Sequence, residues 1–489
     1  MKLTIEQMID FEEKYDLKNR NVLGFYYWDY MRIYFLYQIK IGYNKSDNVV
    51  DTKIPTKEEK KIDWKHFNRY IPFTRNSKTD IVLLVDPRKI NQDGKYENVF
   101  IDKVQTKLEE KYSCLALEEP NWSAWNYGLK AHFTPNVNSN INYVDFYELS
   151  YFRKKRLFMK FQKSSLQSIE KEFYYLAEII EKEFYFSFMD RKEYIINLWL
   201  YFLLMRKKYL KLIKKINPKI MLVNYRPTNF KTLITSICNE LNITTVELQH
   251  GVISKEEPLD RKIKNGHNWL TTPNYLFAFG EKLVNFNNLA YQQENVKYVG
   301  YSFLEDKVHQ KLEIPSIIND KHKYILVISQ SIMGDEMTIF TSKLAHILET
   351  VAPEYKIIYK YHPNEIAREY PILKHPNIIE IKDLRQEIYQ FHKYCVAQIG
   401  VYSTGVYEGL SFKLPTFIIN DLIGSSDTLN VLSFMTKGVY SVDTPEDIIS
   451  LLQKGIEKPI ESEIDLIWKK DSLNNILKEV DLLINKKTS

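Results

Sequence analysis

Short apolar runs that alternate with helical stretches constrain this chain more than any other feature. Asp80-Ile81-Val82-Leu83-Leu84-Val85 is apolar at every position after the first and stops at Asp86-Pro87-Arg88. A strand apolar on both faces must be covered on both faces, as in a parallel sheet sandwiched by helices. The same pattern recurs at 218–224 and 243–248, with a helical stretch over 228–241 between them, and weaker strands are expected at 112–117, 141–146, 275–279 and 296–299. A second series runs through strands at 324–329, 356–361, 378–381, 396–399 and 415–419, interleaved with helices at 335–350, 384–394 and 444–454. A long helix is expected at 462–485. Strands and helices at this spacing predict an α/β chain built on doubly wound parallel sheets. Two such series predict two Rossmann-like domains facing each other across a cleft, the first over 1–303, the second over 323–489, joined by a polar linker at 304–322.

Outside these series, residues 1–45 read as helical and aromatic. Gly24-Phe25-Tyr26-Tyr27-Trp28-Asp29-Tyr30-Met31-Arg32 carries so many rings that it is expected to pack against a domain. The segment 46–78 is polar and reads as a linker or exposed loop, and 153–215 reads as long helices with basic flanks.

Chemistry-bearing residues gather where strands end. In open parallel sheets ligands bind beyond the carboxyl ends of the strands. Gln249-His250-Gly251 ends a strand of the first domain. Ser329-Gln330-Ser331, Tyr361-His362-Pro363 and Tyr402-Ser403-Thr404-Gly405 end strands of the second. The last leads from an apolar run into a helix, so free backbone N–H groups and the positive end of the helix dipole meet there. That setting suits a phosphate, although the same residues also make an ordinary N-cap and tight turn. A histidine before glycine or proline likewise serves as a plain strand terminus, and the weight of the reading rests on four such motifs sharing one edge. No Walker loop, GxGxxG or GxSxG occurs, and the histidines have no metal-ligand spacing.

Taken together, Glu247-Leu248-Gln249-His250-Gly251, Lys360-Tyr361-His362-Pro363 and Tyr402-Ser403-Thr404-Gly405-Val406-Tyr407-Glu408 resemble the motifs of two-domain GT-B glycosyltransferases of bacterial capsule and surface-polysaccharide synthesis. Similar elements appear in bacterial sialyltransferases and CDP-glycerol glycerophosphotransferases. The resemblance implies that His250 is the general base for the acceptor hydroxyl or holds the leaving group. It implies that His362, Ser403 and Thr404 hold the donor phosphate, that Glu408 binds a ribose hydroxyl, and that Gln330 sits in the loop facing the nucleotide. Gln249, Gly251, Asp86 and Arg226 are the candidates for the acceptor side of the cleft. The implied partners are a nucleotide-activated sugar and a polysaccharide or lipid-linked acceptor, with no metal and no further cofactor. A polyol-phosphate transferase and a UDP-sugar 2-epimerase of the same fold are the alternatives, and a non-catalytic scaffold ranks behind them.

The charge balance, 68 basic against 62 acidic residues for a net +6, is too mild to imply nucleic acid, and no nucleic-acid module is recognisable. Cys114, Cys238 and Cys395 have no paired spacing, which fits a reducing compartment. The first residues lack the apolar core of a signal peptide. The longest apolar run, 194–205, is shorter than the roughly 20 residues needed to span a bilayer. A cytoplasmic protein is expected, with the basic helices of 153–215 offering peripheral attachment to an anionic inner membrane face.

Overall fold

The computed structural model describes residues 5–41, 79–86, 89–92, 95–119, 141–185, 187–224, 228–253, 269–287, 289–365, 368–383 and 387–486. The 46–78 segment and Arg226 lie outside the described residues.

The strands of the first half are β1 (Ile81–Val85), β2 (Ile90–Gln92), β3 (Lys95–Glu97), β4 (Cys114–Glu118), β5 (Ile141–Tyr143), β6 (Ile220–Asn224), β7 (Thr244–Leu248), β8 (Tyr275–Ala278) and β9 (Val296–Tyr298). The strands of the second half are β10 (Lys323–Ile328), β11 (Tyr355–Lys360), β12 (Ile378–Ile381), β13 (Ala397–Gly400), β14 (Thr416–Ile419) and β15 (Val439–Val442). β2 and β3 form a small antiparallel hairpin. The others build two sheets, ordered β5-β4-β1-β6-β7-β8-β9 and β12-β11-β10-β13-β14-β15. Every pairing in both is parallel. β1 is buried at all five positions because β4 and β6 flank it and apolar clusters cover both its faces. The winding direction reverses between β1 and β6 and again between β10 and β13, the kind of place where open parallel sheets bind ligands.

The aromatic N-terminal segment packs, as its ring content predicts. Helices Ile5–Lys14 and Trp28–Ile41 share one apolar cluster with the long helices Lys163–Phe184 and Lys192–Ile216. Trp28 is fully buried, and its indole N–H donates to Glu12 Oε1 at 2.9 Å. Arg32 Nε donates to the same oxygen at 2.5 Å, so the buried carboxylate is paired.

The end of the chain departs from the expected boundaries. The 462–485 stretch is two helices, Glu461–Ile467 and Ser472–Lys486, broken where Trp468 donates its indole N–H to Tyr407 O at 3.1 Å. Lys469 N–H bonds Phe279 O at 2.9 Å, carrying the chain back to the first domain. Its backbone passes so close to Gly300, at φ +90°, that a Cβ there would sit 2.0 Å from Lys469 O. Ser472–Lys486 then buries Ile476, Val480, Leu483 and Ile484 in the same core as Ile81, Leu83 and Val85 of β1. The last helix therefore packs with the first sheet. The 304–322 stretch is also more than a linker. It begins inside the helix Ser302–His309, and Leu304 and Leu312 are buried with Phe279, Tyr389 and Tyr407 in a cluster joining the two domains.

Candidate functional site

On the second sheet, β13 leads through a turn into the helix Thr404–Ser411. Ser403 is extended, φ −167° and ψ 143°, and caps the helix by accepting from Gly405 N–H at 3.3 Å. The helix lies hard against its strand: a Cβ on Gly409 would meet Gln398 Oε1 at 2.2 Å. Gln398 fixes the contact by donating to Val406 O at 2.7 Å and to Thr416 Oγ1 at 2.8 Å. The helix start is thus held at the carboxyl edge, beside the β10/β13 reversal. Gln330, just beyond β10, donates to Tyr402 O at 2.6 Å and ties the two loops together. Its amide nitrogen thus braces the turn.

His362 follows β11, and its backbone N–H donates to Glu365 Oε2 at 3.0 Å. Burial holds its imidazole below the ordinary 6.5, with Glu365 pulling the other way. The ring is neutral at pH 7 and able to donate one hydrogen bond. Glu408 lies one turn beyond Thr404 and is 8% exposed. Burial pushes its carboxyl up to about 7, opposed by a hydrogen bond from the Tyr389 hydroxyl.

On the first sheet, β7 ends at Gln249-His250-Gly251. His250 is partly exposed, and its Nδ1 lies 4.0 Å from Glu247 Oε1. Glu247 is 1% exposed, and its second oxygen accepts from the Tyr291 hydroxyl at 2.7 Å. The Glu247 carboxylate, held by a buried tyrosine, thus stands beside the His250 imidazole. Gln249, the residue before it, is engaged with backbone on three sides. Its amide donates to Gly251 O at 2.7 Å and Leu283 O at 3.0 Å and accepts from Phe279 N–H at 2.6 Å. It is the brace of the His250 turn, with its hydrogen-bonding atoms spent on backbone.

The two motif sets meet. A Cβ built on Gly251 would stand 3.8 Å from Thr404 Oγ1. The histidine turn of the first domain and the helix start of the second are therefore in contact range across the cleft.

Asp86 follows β1 and is 4% exposed. Lys231 Nζ, itself fully buried, lies 3.4 Å from Asp86 Oδ2 and 4.0 Å from Glu119 Oε1, and donates to Asn224 O at 2.9 Å. Burial pushes Glu119 up to about 7, Lys231 opposing. Glu119, Lys231 and Tyr291 are not singled out by the sequence, and Glu247 stands in a motif there without a role. A lysine inside an otherwise apolar helix face and a Glu118-Glu119 pair at a strand end were the available signals. Among the described residues no three His, Cys, Asp or Glu side chains cluster as a metal site requires. The cysteines are free.

No protein-family model matches the sequence, and no curated protein matches it. Solved structures do resemble it. The UDP-GlcNAc 2-epimerase of Methanocaldococcus jannaschii aligns over 82% of this chain and 99% of its own, at 14% identity and a TM-score of 0.50. An MnaA–UDP co-structure from S. aureus aligns over 84% and 98%, at 11% identity and a TM-score of 0.48. The wall teichoic acid polymerase TagF aligns over 84% and 89%, at 12% identity and a TM-score of 0.42. At these identities the likeness is one of architecture. Two all-parallel sheets with helices, and an epimerase structure that aligns over nearly its whole length, give this chain a two-domain, GT-B-like α/β fold.

Proposed function

We propose that the protein transfers a sugar from a nucleotide-activated donor to a hydroxyl of a surface polysaccharide or lipid-linked acceptor, without a divalent metal. The observation that carries this reading is the approach of Gly251 to Thr404, which sets a histidine turn against a helix start. His250 takes the proton of the acceptor hydroxyl, with Glu247 stabilising the imidazolium that forms. The acceptor oxygen bonds to the anomeric carbon. The bond from that carbon to the donor phosphate breaks, and its electron pair leaves with the nucleotide. The start of Thr404–Ser411, its two hydroxyls and the His362 ring take up the leaving charge. Ser403 Oγ already accepts from Gly405, yet a hydroxyl keeps its own proton to donate to a phosphate oxygen. Glu408, with Tyr389 as one partner, has acceptor capacity for a ribose hydroxyl. The buried Asp86–Lys231–Glu119 group lies at the first sheet's reversal, where an acceptor would bind.

The test is a thermal-shift panel of UDP, CMP, CDP and GDP, followed by donor turnover with and without acceptor. A nucleotide at 100 times its Kd stabilises the fold by about 2.7 kcal/mol. Stabilisation by one base class, with sugar release that depends on an acceptor, is expected. Release of polyol phosphate from a CDP donor would move the reading to a polyol-phosphate transferase. Isomerisation of a UDP-sugar with no acceptor would make the protein an epimerase, and no response to any nucleotide would overturn all three.

A further inference from the structure

The helix Asp145–Phe161 carries a surface that nothing in the cleft chemistry uses. Four large apolar side chains on its outer half face solvent: Phe152, Leu157, Met159 and Phe161, the last 65% exposed. Phe152 and Met159 stand seven residues apart and Leu157 and Phe161 four apart, so each pair shares a side of the helix. Arg156 and Lys160, also four apart and exposed, lie between the two pairs. Arg153, Lys155 and Lys163 extend the positive strip, and no acidic residue occurs from 149 to 169. Lys154 is excluded from it, since its ammonium is turned inward to Leu204 O at 2.9 Å. The inner side of the helix is anchored by Tyr151, whose hydroxyl donates to Asn197 O at 2.9 Å.

We infer that this helix face docks on an anionic lipid surface. Exposed apolar chains interleaved with arginine and lysine match the lipid interface on both counts. The rings and thioether enter the acyl boundary while the long basic stems keep their charges among the headgroups. An acidic protein partner would satisfy the charge and leave the four apolar chains to find a matching groove. A second copy of the chain would oppose like charges. The helix follows β5 directly, so its first residue stands at the carboxyl edge of the first sheet. At 1.5 Å per residue its far end is about 25 Å from that edge. No helix among the described residues is long and apolar enough to cross one, so attachment is peripheral. The inference concerns a surface away from the motifs and stands whichever donor the cleft takes.

The experiment is flotation of the full-length protein with phosphatidylcholine vesicles, with and without about a third phosphatidylglycerol. Binding is expected only with phosphatidylglycerol, weakening as salt is raised. Arg153→Gln/Arg156→Gln/Lys160→Gln should lose about fivefold per charge, near a hundredfold in all. Phe152→Ser/Leu157→Ser/Phe161→Ser should lose binding while keeping its melting temperature and nucleotide-induced shift. The melting temperature is the control, since only Phe161 is mostly exposed. Equal, salt-insensitive binding to neutral vesicles, or wild-type binding by either triple variant, would overturn the inference. So would a dimer in light scattering that the serine variant abolishes, which would assign the face to self-association.

Discussion

Ser403 and Thr404 differ in what they do for the fold, and that difference makes a sharp test. Ser403 Oγ caps its helix through Gly405 N–H at 3.3 Å, a long bond, so Ser403→Ala should cost the fold about 0.5–1 kcal/mol. Thr404 is the first residue of the helix and has no part in that cap, while its Oγ1 lies nearest to Gly251 of the other domain. Thr404→Val keeps the shape and removes only the hydroxyl. A hydroxyl hydrogen bond to a charged phosphate is worth about 1.5–3 kcal/mol. Thr404→Val should therefore weaken nucleotide binding by about one to two decades with an unchanged melting temperature. Ser403→Ala should weaken binding and lower the melting temperature together. Calorimetry with the preferred nucleotide and its phosphate-free nucleoside completes the assay, since the nucleoside should bind wild type and Thr404→Val alike. Equal loss of both ligands, or a Thr404→Val protein that binds nucleotide as wild type does, would refute the phosphate assignment and leave the motif a structural turn.

Three further outcomes are expected. His250→Ala should lower transfer by about 10²–10⁴-fold with nucleotide affinity nearly intact; wild-type turnover would remove it from the mechanism. Burial holds the His362 pKa below 6.5, and a bound phosphate would raise it, so nucleotide binding should take up a proton and tighten as pH falls through the bound-state value. Titrations in buffers of different ionisation heat read that uptake, and His362→Gln should abolish it. His392 is fully buried with neither ring nitrogen hydrogen-bonded, and burial depresses its pKa to about 3. Its folded value lies below its unfolded value, so the stability it allows is complete above 6.5 and is lost as pH falls from there toward 3. The loss should be about 1.4 kcal/mol per pH unit, read by urea unfolding between pH 6.5 and 4.5. His392→Phe, beside Phe412, should flatten that slope, and identical slopes would show that the ring is hydrated.

The sequence by itself determined the sheets and the edge that matters. Continuous apolar runs such as 81–85 and 220–223 could only be strands covered on both faces, and they are. The polar residues that stop them mark where the sheet meets solvent, which is why His250, Gln330, His362 and Ser403 all fall at carboxyl ends. The aromatic N-terminus was legible as packing for the same reason, since rings in that density need a surface to cover. Periodicity reports which side of an element is buried, and it is silent about what buries it. The helical pattern of 462–485 is continuous, so only Trp468 reaching Tyr407 shows where it breaks and crosses to the first domain. The sequence marks Gln249 only as part of a strand-end motif. Backbone groups up to 34 positions away hold it as a brace. Glu119 and Lys231 lie over a hundred residues apart in sequence, and the β4/β1/β6 order brings them to 4.0 Å. The meeting of Gly251 with Thr404 is likewise a product of how two domains pack, because the contacts that set it join residues that no local pattern links.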